Sequence, residues 1–349
     1  MQESRKIRVG ISIGDLNGIG CEIILKTFED VRMMDFCTPI IFASNKTVSQ
    51  QKDVLGIDVR FNGVNEASKA ISGKINVVNV WNETPQLQFG QETEEGGTYA
   101  IKSLRAAVKA LKEGHIDVLL TAPINKKNIQ AEDFDFPGHT DFLAQELEGE
   151  SLMFMVTDTL KVGLLTDHVA VKDAPAAIDA ELIQKKVQTI EKSLKVDFGI
   201  RRPKIALLGI NPHSGDNGVI GNEDDDIMKP VIKELSEKGH LVFGPYSADS
   251  FFGSDAYKNF DAILAAYHDQ GLIPFKTLSF GKGVNFTAGL SKVRTSPDHG
   301  TAYEIAGKGK ADNNSFKESL FMAIKIFKNR KEFDQLSGNP LKKHPKVKR

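Results

Sequence analysis

The sequence predicts an α/β fold with a mostly parallel sheet, and two observations lead to that prediction. Short apolar runs rich in β-branched residues end in loops of Gly, Asn, Asp or Pro, and stretches with helical periodicity lie between them. Strands that alternate with helices favour parallel pairing, which gathers ligand-binding loops at the carboxyl ends of the strands. Because a chain of 349 residues is longer than those that usually fold around one hydrophobic core, we expect two domains or one large two-lobed unit.

Each element is predicted from its own pattern. Seven apolar runs are predicted as buried strands, at residues 9–13, 40–42, 75–80, 118–122, 161–165, 205–210 and 262–267. Five periodic stretches are predicted as helices, at residues 98–113, 141–147, 183–194, 225–238 and 315–329. The basic tail at residues 342–349 is predicted to be a solvated terminus rather than a nucleic-acid arm.

Composition narrows the classes of function. Hydrophobic residues make up 40% and charged residues 26% of the chain, which is typical of a globular protein. The net charge of -1 gives no global field that attracts nucleic acid or anionic lipid, so neither partner is expected. The apolar run at residues 9–13 is too short for a signal peptide or a membrane span, so we expect a cytoplasmic protein. Cys21 and Cys37 are expected to be buried, reduced thiols.

Two glycine-rich stretches are candidates for anion binding. The first, GDLNGIGCE at residues 14–22, lacks a dinucleotide fingerprint because the third required glycine, counted from Gly18, falls at Ile23. We interpret it as a turn that opens a helix. The second, residues 281–289, is flanked by Lys276 and Arg294, which supply charge-assisted donors for a phosphate or a carboxylate. A solvated loop is the alternative interpretation of this second stretch.

Five of the eight histidines stand in polar loops: His139, His168, His213, His268 and His299. His168, His213 and His268 each follow a separate predicted strand, so they converge only if those strands are neighbours or if two subunits share a site. Three imidazoles without cysteine leave a coordination position open, as in catalytic zinc sites. Asp249 and Asp269 are candidates for orienting carboxylates or proton acceptors, with solvated loop aspartates as the alternative.

Eight motifs follow one another along the chain: GDLNGIGCE, TAPINK, GHTDFLA, TDHVAVKDA, GINPHSGD, GPYSAD, YHDQGLIPFK and GKGVNFTAGLSKVRTSPDHGTA. Through these motifs the chain resembles, from end to end, the 4-hydroxythreonine-4-phosphate dehydrogenase family of pyridoxal phosphate biosynthesis. The resemblance implies an isocitrate/isopropylmalate-dehydrogenase-like fold, with two α/β lobes around a central cleft, and a homodimer with active sites across the subunit interface. Residues 1–125 and 285–349 would form the lobe with the cofactor loop. Residues 126–284 would form the lobe with the metal ligands and the dimer interface.

The resemblance also implies roles for individual residues. The metal ligands match His168, His213 and His268, of which His268 is expected from the partner subunit, and the metal is a divalent ion such as Zn, Co or Mg. The substrate-binding residues match His139, Thr140, Lys276, Asn285 and Arg294. The cofactor, NAD or NADP, is expected against a segment that begins with His299, Gly300, Thr301 and Ala302, which accounts for the missing Rossmann fingerprint.

The implied reaction oxidises the secondary alcohol of 4-phosphooxy-L-threonine by hydride transfer to NAD⁺. The resulting β-keto acid loses CO₂ to give 3-amino-2-oxopropyl phosphate, with the metal stabilising the alkoxide from which the hydride departs. The chain departs from the family pattern at Leu16-Asn17 for Pro-Ala, Cys21 for Pro, Asp167 for Thr, and VAVK at residues 169–172 for IPLR. Because two of these departures adjoin His168, a dehydrogenase for D-threonate or D-erythronate 4-phosphate is the alternative. A phosphate acyltransferase of related architecture is a further alternative, but it gives no reason for three histidines at strand ends.

Overall fold

One twelve-stranded sheet forms the centre of the protein. The structure, a computed structural model, describes residues 5–130, 134, 136 and 138–338, so the predicted tail at residues 342–349 lies outside the described residues. The strands are β1 Ile7–Ser12, β2 Cys37–Ala43, β3 Asn62–Val64, β4 Asn76–Asn79, β5 Val118–Thr121, β6 Gly149–Val156, β7 Lys161–Leu164, β8 Ile205–Leu208, β9 Val242–Tyr246, β10 Ala262–Ala265, β11 Val284–Leu290 and β12 Val293–Pro297. Their order across the sheet is β3-β4-β2-β1-β5-β12-β11-β6-β7-β10-β8-β9.

Ten α-helices are present in the described ranges: α1 Gly20–Glu29, α2 Met33–Phe36, α3 Asn45–Leu55, α4 Glu94–Lys112, α5 His139–Glu146, α6 Ala180–Val196, α7 Lys229–Glu237, α8 Ala248–Gly253, α9 His268–Ser279 and α10 Asn314–Ser337. The amino ends of α3, α4 and α6 are capped by Ser44, Thr93 and Asp179, whose side chains accept a backbone N–H from the first turn. A single π-helical turn, Asp224–Met228, precedes α7.

Helices cover both faces of the sheet. Along β5, Val118 and Leu120 pack in one buried cluster with Phe316 and Leu320 of α10. Leu119, which points to the opposite face, packs in a second cluster with helix α4. Strands covered on both faces read as near-continuous apolar runs, which is why the sequence predicts them.

Most strand pairs are parallel, but the middle of the sheet is antiparallel. Strand β11 runs antiparallel to both β12 and β6, and β6 runs antiparallel to β7. Strands β1 to β5 with β12 occupy one half of the sheet order, and β6 to β11 occupy the other. The predicted lobe boundaries differ from this grouping at β11, which they place almost entirely with the first lobe, and the division into lobes stays a prediction.

The α/β fold and all seven predicted strands are confirmed, and each predicted helix overlaps one in the structure. Five strands and several helices were not predicted. Strand β11 overlaps the glycine-rich stretch at residues 281–289, for which we predicted an anion-binding loop or a solvated loop, and β12 follows that stretch. Helix α9 begins directly at His268. In the described part of the chain, no helix is both long enough and apolar enough to cross a membrane.

Candidate active site

A cavity of about 300 Å³ lies at the middle of the sheet. Side chains from β5, β12, β11 and β6, which are adjacent strands, form part of its wall, together with the first turns of α5 and α9. The predicted site residues that line the cavity are His139, Thr140, His168, His268, Lys276, Asn285, Arg294, His299 and Gly300. The predicted residues outside its wall are His213, Asp249, Asp269, Thr301 and Ala302.

Arg294, on β12, is a buried cation in this cavity, with only 2% of its surface exposed. Its guanidinium donates to Thr121 Oγ1 from Nε (3.1 Å) and Nη2 (2.7 Å), and to Thr287 Oγ1 from Nη1 (3.0 Å). Burial lowers the pKa of Arg294 to about 9, and no described carboxylate lies within ion-pair distance to oppose that shift. Because arginine stays protonated at neutral pH, the cavity presents an uncompensated positive charge suited to an anion.

Residues with unpartnered polar atoms line the same cavity as this guanidinium. His139 and Thr140 enter the cavity from the amino end of α5. His139 Nε2 and Asn285 Oδ1 are buried without a hydrogen-bond partner in the described residues. Burial, followed by the charges of Arg294 and Lys126, holds the pKa of His139 well below the ordinary histidine value, so this imidazole is neutral at pH 7. Buried polar atoms left unpaired in this way indicate a site built to receive a polar ligand.

Lys276, on α9, contributes a second cation, but this one is already paired. Its Nζ lies 3.0 Å from Asp298 Oδ1. Burial raises the pKa of Asp298, while the lysine acts in the opposite direction. The pair therefore offers a donor and a carboxylate side by side, whereas Arg294 offers only positive charge.

His168 and His268 lie beside each other at the cavity, with ring centroids 6.3 Å apart. They follow β7 and β10, which are parallel neighbours in the sheet. The pairing continues past the strand ends, because Thr166 donates to Ala266 O from its backbone N (3.2 Å) and its hydroxyl (2.8 Å). The topology therefore brings together two histidines that lie far apart in the sequence.

The ring nitrogens of these two histidines have distinct partners. Lys126 Nζ lies 3.1 Å from His168 Nε2, and since an ammonium only donates, this Nε2 is an unprotonated acceptor. His268 Nδ1 lies 2.7 Å from Asp269 Oδ1, which leaves the other ring nitrogen available. A carboxylate on the second ring nitrogen orients many metal-bound histidines. Asp269 therefore has the position of an orienting residue.

His213 lies apart from the other two histidines. It follows β8, which pairs with β10, and its segment Pro212–Gly215 adopts left-handed φ at His213 (53°) and Ser214 (51°). Across the described residues, no group of three His, Cys, Asp or Glu side chains is placed to hold a metal ion. We expected His268 to be the ligand from a partner subunit. In one chain His268 lies beside His168 and His213 lies outside the cavity, and the origin of each ligand in a dimer stays a prediction.

Two carboxylates hold or adjoin the His213 segment. Asp224, fully buried, accepts backbone N–H bonds from Ile210 (2.8 Å) and Asn211 (3.0 Å), which fixes the start of the segment. Asp249 is exposed on α8, where hydrogen bonds, above all from Ser247, and the nearby His213 lower its pKa. Asp249 is therefore ionised at neutral pH and lies beside His213 rather than at the cavity.

The predicted cofactor segment packs against the first glycine-rich turn. Ile19 N donates to Thr301 O (3.0 Å), and a Cβ on Gly18 would lie 2.9 Å from that same oxygen. Tyr303 donates its hydroxyl to Asp15 Oδ2 (2.8 Å). The glycine at position 18 is therefore required by the close approach of the cofactor segment, and the turn acts as a support for that segment.

Asn17 extends this support at a position where the family pattern has Ala. Its Nδ2 donates to Thr93 Oγ1 (2.8 Å), and its Oδ1 accepts from Gln88 N (2.7 Å). Asp167, another departure, accepts the backbone N–H of His168 (2.8 Å). Both departures thus form local hydrogen bonds that stabilise the loops in which they lie.

Sequence reasoning missed three cavity residues, Thr121, Lys126 and Asp298. Each lies inside a quoted motif, TAPINK or RTSPDHG, so the motif was a usable signal. Their contacts with Arg294, His168 and Lys276 depend on tertiary structure, which no spacing in the sequence reveals.

The chain is similar to a set of known enzymes over nearly all of its length. Residues 35–323 match the family described as "Pyridoxal phosphate biosynthetic protein PdxA". A 4-hydroxythreonine-4-phosphate dehydrogenase from Bacteroides thetaiotaomicron is 47% identical over 98% of this chain and 94% of its own. A D-threonate 4-phosphate dehydrogenase from Cupriavidus necator is 35% identical over 89% of this chain and 95% of its own. The crystal structure of a 4-hydroxythreonine-4-phosphate dehydrogenase from Burkholderia phymatum superposes with a TM-score of 0.75 at 35% identity, covering 92% of this chain and 98% of that one.

Proposed function

This chain belongs to the PdxA family of pyridoxal phosphate biosynthetic proteins, and we propose from that premise that it is a 4-hydroxythreonine-4-phosphate dehydrogenase. It oxidises the secondary hydroxyl of 4-phosphooxy-L-threonine, and the keto acid then loses CO₂ to give 3-amino-2-oxopropyl phosphate. The observation that supports this function most directly is Arg294, a buried guanidinium without a carboxylate partner in a cavity of about 300 Å³. A small molecule with a phosphate supplies the missing negative charge.

The cavity residues divide between holding and orienting the substrate. The phosphate is bound by Arg294, which carries the unpaired positive charge, and by three residues that line the same cavity: His139, Thr140 and Asn285. Lys276, held by Asp298, contributes a further donor on the α9 side. Fixing both ends of the substrate aligns its hydroxyl-bearing carbon, and such positioning lowers the barrier by several kcal/mol, on the order of 7.

Two imidazoles of this chain fit a divalent metal. The lone pair of His168 Nε2 becomes available to a metal once Lys126 moves away. Nδ1 of His268 contacts the carboxylate of Asp269, which orients the ring. His213, placed apart in one chain, completes the set from a second subunit of a homodimer. A divalent ion such as Zn, Co or Mg held there supplies Lewis acidity to the substrate hydroxyl.

The segment that begins at His299 fits a nicotinamide cofactor. His299 Nε2 is buried and unpartnered, and Gly300 has no heavy atom within 4 Å of where a Cβ would lie. NAD or NADP supplies the hydride acceptor when bound. The proton acceptor for the substrate hydroxyl is Asp249 or Asp269, of which Asp269 already orients His268. A cytoplasmic location stays a prediction.

The test is production of NADH by the purified protein. We expect NADH absorbance to rise when 4-phosphooxy-L-threonine, NAD⁺ and a divalent metal are all present, and to stay flat when a chelator removes the metal. His168→Ala should abolish the reaction, whereas Lys127→Met, at an exposed lysine paired with Glu92, should leave it unchanged. Absence of NADH from the wild-type protein with every divalent metal tried contradicts the proposal.

A second candidate substrate has a specific observation in its favour. A relative of 35% identity is a D-threonate 4-phosphate dehydrogenase, and Asp167 with residues 169–172 departs from the family pattern beside His168. D-Threonate 4-phosphate and D-erythronate 4-phosphate offer the same phosphate, hydroxyl and carboxylate but no amine. Parallel measurements of kcat/KM with the three acids decide between them, because the true substrate gives the largest value.

A further inference from the structure

We propose that Lys126 binds the carboxylate of the phosphorylated hydroxy acid, opposite the phosphate site at Arg294. This inference rests on the proposed function and assigns a binding role to a residue of the TAPINK motif. The lysine lines the same cavity as His139, His168 and Arg294.

Lys126 contacts His168 and has no counter-ion among the described residues. Its side chain reaches His168 Nε2 at 3.1 Å, and no described carboxylate lies within ion-pair distance. The turn that carries it is fixed by Asn125, whose Oδ1 accepts from the backbone N of Lys127 (2.8 Å) and Asn128 (3.3 Å). Lys127, the next residue, points elsewhere and forms an ion pair with Glu92 at 2.8 Å. One of two consecutive lysines is thus neutralised at the surface, and the other is left free at the cavity.

Lys126 and Arg294 line the same cavity as the imidazole of His139. Both cations lower the pKa of His139 through their charge, so both are within electrostatic reach of that ring. The third cation, Lys276, is balanced by Asp298. The two cations without a described counter-ion, Lys126 and Arg294, match a substrate with two anionic groups. In that substrate a chain of three carbons joins the carboxylate to the phosphate.

Arg294 and Lys126 are suited to different anionic groups of the substrate. Arg294 is rigid, buried and bound by two threonine hydroxyls, and it lies with the neutral His139 and the amino end of α5. A forked guanidinium and oriented donors favour a phosphate. Lys126 is exposed, carries a compact charge and lies next to His168, where the hydroxyl-bearing carbon must lie for oxidation. Lys126 therefore binds the carboxylate, which is the remaining anionic group of the substrate.

The experiment compares equilibrium binding of three probes to the full-length protein. Isothermal titration of wild-type, Lys126→Met, Lys126→Arg and the control Lys127→Met measures Kd for 4-phosphooxy-L-threonine, glycerol 3-phosphate and inorganic phosphate. Glycerol 3-phosphate keeps a hydroxyl and a phosphate but lacks the carboxylate. We expect Lys126→Met to weaken 4-phosphooxy-L-threonine by about tenfold or more, the loss of one charge-assisted hydrogen bond. The two carboxylate-free probes should change by less than about twofold, and Lys126→Arg should recover part of the lost affinity.

Three results overturn the inference. Unchanged affinity for 4-phosphooxy-L-threonine in Lys126→Met shows that the lysine binds no anion. Equal losses for all three probes show that it binds the phosphate instead. Equal losses in Lys127→Met show a general effect of charge. Because the readout is binding, a wild-type protein that binds the acid but makes no NADH refutes the proposed function while leaving the test of Lys126 valid.

Discussion

Arg294 is a residue whose position costs stability, and we propose that the buried charge serves to bind an anion. A buried guanidinium loses its hydration, and two threonine hydroxyls replace only part of it. Arg330 is its opposite within the same chain, because its Nε lies 2.6 Å from Asp197 Oδ1 and the Asp197 side chain is only 3% exposed. Arg330 therefore stabilises the fold by pairing, whereas Arg294 has no partner among the described carboxylates and is available for the proposed anion.

Substituting these two arginines should give opposite results. In Arg294→Met the free energy of unfolding should stay level or rise, because an uncompensated buried charge is replaced by an apolar side chain. Arg330→Met should lower it by about 3 kcal/mol, since the buried Asp197 loses its ion pair and keeps only Ser193 as a side-chain partner. Chemical denaturation measures both values. Titration with inorganic phosphate should show a loss of binding, by about tenfold or more, in Arg294→Met alone.

A destabilised Arg294→Met with intact phosphate binding contradicts that interpretation. The sequence did identify Arg294 as a candidate anion-binding residue, because it follows a glycine-rich stretch and matches a family motif. Its lack of a partner among the described carboxylates was not predictable, because the chain has 46 acidic residues and only the fold decides which of them approach Arg294. The contact between Lys126 and His168 was unpredictable for the same reason.

At the scale of elements, the glycine-rich turn supports the segment that begins at His299, which we predict to bind the cofactor. The sequence excluded a dinucleotide fingerprint but gave no reason for Gly18 beyond turn geometry. The structure supplies one, because a Cβ at this position would meet the carbonyl oxygen of Thr301 at 2.9 Å. A backbone atom cannot rotate away as a side chain does, so the whole segment has to shift.

Gly18→Ala should therefore weaken binding of NAD⁺, by about tenfold, while the fold is retained. The displaced Thr301 carbonyl moves a segment that begins with His299 and Gly300 at the cavity. Calorimetric titration with NAD⁺ measures the effect, and circular dichroism checks the fold. Gly253→Ala is the matched control, because no atom lies within 4 Å of its Cβ position. Equal NAD⁺ affinity in the two variants refutes the supporting role of the turn.

Four of the five strands that escaped prediction have identifiable local causes. Strand β9, VFGPY, contains Gly and Pro, which are typical of turns, and it is tolerated because it lies at the edge of the sheet. Strand β6 is rich in Leu and Met rather than in β-branched residues. Strands β11 and β12 are interrupted by Asn285 and Arg294, the polar residues that line the cavity. Local pattern fails where a strand carries side chains for the site.

At the scale of the whole molecule, the sheet order decides which histidines meet. His168 and His268 were candidates for one site because each follows a strand, and β7 and β10 are indeed neighbours. His213 follows β8, the next strand, yet stays outside the cavity. Spacing alone could not distinguish these outcomes, because the path of each loop beyond its strand depends on side-chain contacts such as those of Asp224.

This arrangement predicts which pairs of inactive subunits restore activity when combined. If His168 and His268 of one subunit share a site with His213 of the other, a mixed dimer of His168→Ala and His213→Ala keeps one intact site. Random pairing then yields about a quarter of the wild-type activity, since half of the dimers are mixed and each has one of two sites. A mixture of His168→Ala and His268→Ala should stay inactive, because each site lacks one of the two residues.

Co-expression with two affinity tags and measurement of NADH production tests both mixtures. Activity from the second mixture instead of the first means that His268 crosses the interface, and activity from neither means that all three ligands come from one subunit.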